Sequence, residues 1–114
     1  MVLRPPVEPM LAQARDTVPA PGALPGRLVF QPKSDGYRAL LFTAPVRLQS
    51  RRSSLTQAPF PELVHAAAGL PEGLVLDGEL VVWTGEGMSF EALQRRAAAG
   101  HRSAPRLAEE LPAT

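Results

Sequence analysis

The residues best suited to chemistry are Lys33-Ser34-Asp35-Gly36-Tyr37-Arg38, a K-x-D-G-x-R hexapeptide. A lysine amine attacks only after losing its proton, so it works at neutral pH where positive charge or a metal lowers its pKa. On these six residues alone, a surface hairpin with an incidental lysine is the alternative. A second group is Asp77 and Glu79, which alternation places with Val81 and Trp83 on one side of a strand. The opposite side of that strand carries Leu74, Leu76, Leu80 and Val82.

Positioning such groups requires strands and helices, and both patterns are present. Leu28 to Lys33 and Tyr37 to Phe42 read as strands, with Asp35-Gly36 between them as a hairpin signal that tolerates positive φ. Val46 to Ser50 alternates as a half-buried strand does. Phe60, Leu63, Val64 and Ala67 switch to helical spacing, with Pro61 suited to a first turn and Gly69 to an end. Leu74 to Trp83 returns to strand. Ser89 is a plausible N-cap for a helix over Phe90 to Ala99, with Glu91 early and Arg95 and Arg96 late, as the helix dipole favours. The pattern is α+β: antiparallel strands with two short helices.

A chain of 114 residues supports one small domain with a modest core. Its 13 prolines exceed the average usage of about 5 % and cluster toward the ends, which read as arms or connectors. Residues 1–26 are taken as a Pro-rich N-terminal arm and 27–114 as the domain. Net charge is +1, so no overall field marks a nucleic-acid binder. Arg47, Arg51 and Arg52 form one basic group, and Arg95, Arg96, His101, Arg102 and Arg106 another; a solvated face accounts for either. The absence of cysteine removes disulfides and thiol chemistry and suits a reducing cytoplasm. No apolar signal core or membrane span is seen, and a cytoplasmic location is expected.

Five segments in order carry a family resemblance: Pro9-Met10-Leu11-Ala12, the hexapeptide at 33–38, Ser50-Arg51-Arg52 with Pro59-Phe60-Pro61-Glu62-Leu63, Leu76-Asp77-Gly78-Glu79-Leu80-Val81-Val82, and Ser89-Phe90-Glu91-Ala92-Leu93-Gln94-Arg95-Arg96. Together they resemble the covalent nucleotidyltransferases, and within them the bacterial type of ATP-dependent DNA ligase. The resemblance implies a partial nucleotidyltransferase (ATP-grasp-like) ligase domain and covers nearly the whole chain.

It also implies roles. Lys33 would attack the α-phosphate of ATP, expel pyrophosphate and form lysyl-AMP. Asp35 would assist the later DNA steps, and Gly36 would allow the sharp turn. Arg38 would steady the lysine motif and the nucleotide, while Arg51 and Glu79 would hold the ribose. Gln31 stands where a glutamate near the adenine is common; it can still form hydrogen bonds but carries no charge. The implied cofactors are ATP and a divalent cation such as Mg2+, and the implied partner is nicked double-stranded DNA in repair or recombination. Metal ligands and protein partners are not indicated.

Family members continue into an aromatic strand that stacks on adenine, a metal-binding glutamate, a lysine pair for the phosphates and an OB-fold domain. The sequence has none of these. The expectation is a truncated ligase domain, inactive or impaired alone, with a non-catalytic fragment as the alternative. RNA ligation or capping is a further alternative, disfavoured by the P-M-L-A and S-F-E-A-L-Q-R-R segments.

Overall fold

The computed structural model describes residues 3–11, 14–29, 36–52, 56 and 58–114. Strand β1 (Tyr37–Phe42) lies between β2 (Arg47–Ser50) and β3 (Val75–Leu80), and both pairings are antiparallel. A short hairpin of β4 (Trp83–Thr84) and β5 (Gly87–Met88) follows. Helices α1 (Pro61–Ala67), α2 (Phe90–Ala97) and α3 (Ala104–Glu110) complete the α+β arrangement.

Alternation along β1 divides the sheet into two faces. Ala39 on one face is covered together with Leu48 and Leu80, and these pack with Phe60, Val82 and Leu93 into the main core. Phe60 precedes α1 and Leu93 lies within α2, so the helices form the second layer here. The other face carries Leu40 and Phe42, also buried, and Gln49, whose side chain is fully enclosed.

The N-terminal arm covers this second face. Gln49 accepts a hydrogen bond from the Val7 amide at 2.7 Å through Oε1 and donates from Nε2 to the Val7 carbonyl at 2.5 Å. The amide thus imitates a strand partner and satisfies both of its own polar ends inside the protein. At the far end of the sheet Leu3, Arg4 and Pro5 line a cavity with Phe42 and Thr43. Thr43 fastens that end by accepting from the Leu74 amide at 2.9 Å and donating to the Pro71 carbonyl at 2.8 Å.

Local sequence explains α1 and α2. Pro61 stands at the start of α1, where its missing N–H is no loss. The Ser89 hydroxyl accepts the Ala92 amide at 3.1 Å, a cap worth about 1 kcal/mol. The third helix departs from the expected two: Pro105 opens it, and Ala104 and Leu107 are buried against the rest. Its seven residues are too few for a strong periodic signal.

Two further expectations need correction. Leu76 is 45 % exposed although it shares parity with buried Leu80 and Val82, because the core gathers at the other end of β3. Arg96 belongs to no solvated face. It is fully buried, with its guanidinium 5.2 Å from the Phe60 ring centroid. The two terminal nitrogens donate to both carboxylate oxygens of Glu62, at 2.5 and 2.8 Å. They also donate to the Leu111 and Pro59 carbonyls, both at 2.7 Å. Leu28 and Val29 lie outside any strand, and the rest of that expected strand, with Asp35 of the hairpin, is outside the described residues.

Replacing Arg96 by Met is expected to destabilise the fold by about 3–5 kcal/mol, since it strands the Glu62 carboxylate and two carbonyls. Adding Glu62→Leu should recover part of that loss. Arg106→Ala, which breaks only the exposed 2.8 Å pair with Glu110, should cost below about 0.5 kcal/mol. Denaturant unfolding of the variants checks the contrast.

Candidate active site

The register of β1 against β3 brings two of the sequence-selected residues together. Arg38 stands opposite Glu79, and both point to the face covered by the arm. Arg51 follows Ser50, the last residue of β2, whose partner is Ala39. Glu79 and Arg38 therefore stand side by side at the end of the sheet where β1 begins, and Arg51 lies in the turn just past the end of β2. Glu79 and Arg51 are exposed. Gln31, Lys33 and Asp35 lie outside the described residues.

Gly36 joins that segment to β1, and its position is sterically exacting. A Cβ built on it would sit 2.5 Å from the Leu80 carbonyl oxygen, 3.1 Å from a Val81 methyl and 3.2 Å from a Glu79 carboxylate oxygen. Backbone packs on backbone here, so no side chain fits. The glycine was expected for a sharp turn; the constraint visible in the structure is this close approach to β3.

Arg38 is engaged on two sides. Its Nε and Nη2 donate to the Asp77 carboxylate at 3.1 and 2.7 Å, and its Nη1 donates to the Met10 carbonyl. A planar fork matched to a carboxylate is the strong geometry for such a pair. The Arg38 bond holds the Asp77 carboxyl below its ordinary pKa, and the same bond raises that of Arg38. Side-chain exposures of 27 % and 51 % keep the pair within reach of water.

Asp77 stood out in the sequence only for sharing a strand side with Glu79, and no site role followed from that. The missing information was the register, which sets Leu40 opposite Asp77 and leaves Arg38 one pleat away. Met10 was also missed, because the arm's course over the sheet depends on Gln49, a residue with no sequence signature. Among the described residues no three His, Cys, Asp or Glu side chains group as metal ligands. Among them, too, no helix is long and apolar enough to cross a membrane.

Residues 9–113 match the model of the ATP dependent DNA ligase domain family. DNA ligase C2 of Mycolicibacterium smegmatis is 41 % identical over 112 residues, which is 96 % of this chain and 30 % of that protein. DNA ligase C of Mycobacterium tuberculosis is 38 % identical over 113 residues, again 96 % of this chain and 30 % of the relative. DNA ligase C1 of M. smegmatis is 39 % identical over 118 residues, covering 97 % and 33 %. The chain thus spans about a third of the length of these relatives or less.

Gly36→Ala is expected to force β1 away from β3 and to destabilise by about 1–3 kcal/mol, read as a lowered denaturant midpoint. The Asp77 pair gives a pH-dependent expectation. A carboxyl whose pKa is depressed on folding adds stability above its unfolded value, near 3.8, and loses it as pH falls through the lower folded value. Asp77→Asn should therefore be less stable than the parent at pH 7, by under about 1 kcal/mol for so exposed a pair. The two should converge below about pH 4. Unfolding curves at pH 7 and pH 3 check the sign.

Proposed function

We propose a function from one premise: this chain belongs to the family of ATP dependent DNA ligase domains. Lys33 is the nucleophile that attacks the α-phosphate of ATP. The amine nitrogen forms a bond to phosphorus, pyrophosphate leaves, and AMP remains on the lysine as a phosphoramidate. Asp35 serves the later transfer to DNA. Residues 27–114 supply this part of the adenylating domain, and residues 1–26 serve as its arm.

The observation that carries this proposal is the pairing of Arg38 with Glu79 beside Gly36, which connects directly to the lysine motif, with Arg51 in the turn just past β2. Glu79 offers an exposed carboxylate that can accept hydrogen bonds from ribose hydroxyls, and Arg51 can donate to the same sugar. Gln31 would face the adenine. Arg38 acts as an organiser, since its fork is committed to Asp77 and the arm. ATP fits this donor and acceptor set. A divalent cation would screen the triphosphate charge when bound. The final acceptor proposed is nicked double-stranded DNA, in repair or recombination and in the cytoplasm.

Labelled ATP tests the first step. The chain is expected to acquire, slowly, an adduct stable to alkali and broken by acid. The label should vanish in Lys33→Ala and Lys33→Arg, because a guanidinium stays protonated and cannot attack phosphorus. Glu79→Ala should weaken labelling. Label persisting in Lys33→Ala would remove Lys33 as the nucleophile. The 114-residue chain alone, spanning about 30 % of its relatives' length, is expected not to seal a nicked duplex with ATP and Mg2+.

A further inference from the structure

The hairpin beyond β3 carries an apolar surface that the proposed ATP chemistry does not use. Trp83 and Met88 are directly opposite each other on β4 and β5 and are 59 % and 44 % exposed. Phe90, two residues on, is 42 % exposed and meets Tyr37 edge to face, with ring centroids 5.6 Å apart. Tryptophan and methionine left in water side by side are the residue types enriched at the centres of protein interfaces.

Charge around this surface selects its occupant. Charge is segregated along the chain: residues Ser53 to Gln94 hold six carboxylates and no lysine or arginine, although the whole chain carries twelve basic residues. Glu62 is matched by Arg96 and Asp77 by Arg38. Glu79, Glu86 and Glu91 make no ion pair among the described residues. Glu86 lies in the turn between β4 and β5, and Glu91 follows Phe90. Alternation from buried Leu80 and Val82 sets Glu79 and Trp83 on the same side of the strand. The acidic turn beside this apolar pair repels a phosphate backbone and attracts a cation.

We propose that the Trp83–Met88 face is a docking surface for a basic, aliphatic segment of a partner protein. The aliphatic side chains cover the indole and the thioether, and the lysines or arginines meet Glu86 and its acidic neighbours. The Trp83–Met88 pair and Glu86 take no part in the proposed adenylation, and Glu79 is the one neighbour that both proposals use.

Trp83 is the only tryptophan in the chain and reports on its own surroundings. Titration of the 114-residue protein with an amphipathic lysine–leucine peptide is expected to move Trp83 emission to shorter wavelength. The shift should saturate and should fade as salt is raised to about 0.5 M. Glu86→Lys, an exposed turn position, should weaken binding by about fivefold, and Met88→Ser should also weaken it, with the circular dichroism of both variants unchanged. An equal response to a glutamate–leucine peptide overturns the proposal. So does a shift produced by a single-stranded oligonucleotide, a shift on concentrating the protein alone, or no shift with the lysine–leucine peptide.

Discussion

The buried guanidinium of Arg96 is the constraint on which the rest of the architecture depends. A charge removed from water is costly unless its partners are complete, and here three residues supply them to a guanidinium on α2. Glu62 belongs to α1, Pro59 to the loop before it, Leu111 to the end of α3, and Arg96 itself to α2. This arrangement of the elements satisfies the ion pair and both carbonyls together. Glu62 extends the network by accepting the Ala113 amide at 3.3 Å, next to where Thr114 exchanges two backbone bonds with Val81. The helical layer is thereby fixed to the end of β3, and with it the position of Glu79. One buried donor, the Arg96 Nε, has no partner among the described residues, a cost the network bears along with the desolvation.

The sheet is held differently on its two faces. Helices cover the Leu80 face with an apolar core, whereas the face of Arg38 and Glu79 is closed by an arm tied through polar atoms. Gln49 grips Val7 from within the sheet and Arg38 grips Met10 from its margin. Polar ties suit this face, because an apolar cover would have to continue over the charged residues. The face remains open at Glu79 and, past the end of β2, at Arg51, where side chains are exposed.

Legibility in the sequence followed the range of each interaction. β2, β3, α1 and α2 were recognisable because alternation, a proline at a first turn and a serine cap are local signals. The parity of Asp77 and Glu79 was local too. What escaped were contacts across 28 to 42 residues: Arg38 with Met10, Arg38 with Asp77, and Gln49 with Val7. Arg96 was misjudged for a related reason, since an arginine at a helix C-terminus satisfies the dipole whether exposed or buried. Only the arrival of Glu62, 34 positions away in sequence, decides that it is buried. In α3, Pro105 and the spacing of Ala104, Leu107 and Leu111 are present, but over seven residues they make too short a pattern to stand out.

The electrostatics of this face bear directly on how a lysine could become a nucleophile. A carboxylate near a lysine favours its charged form and raises its pKa, the opposite of what attack requires. β3 places two carboxylates on the relevant face. The fork of Arg38 neutralises one of them, Asp77, and that leaves Glu79 as the uncompensated anion beside Gly36. On the proposed assignment, Glu79 is useful only while it faces hydroxyl groups, which it can bind without a proton being moved. On the same proposal, deprotonation of Lys33 would draw on cations outside β3, such as Arg51 and Arg52 past the end of β2 or the cation that accompanies the triphosphate. The pairing of Arg38 with Asp77 is consequently more than a clamp. By removing one negative charge from this face, it limits the penalty against which any such cation has to work.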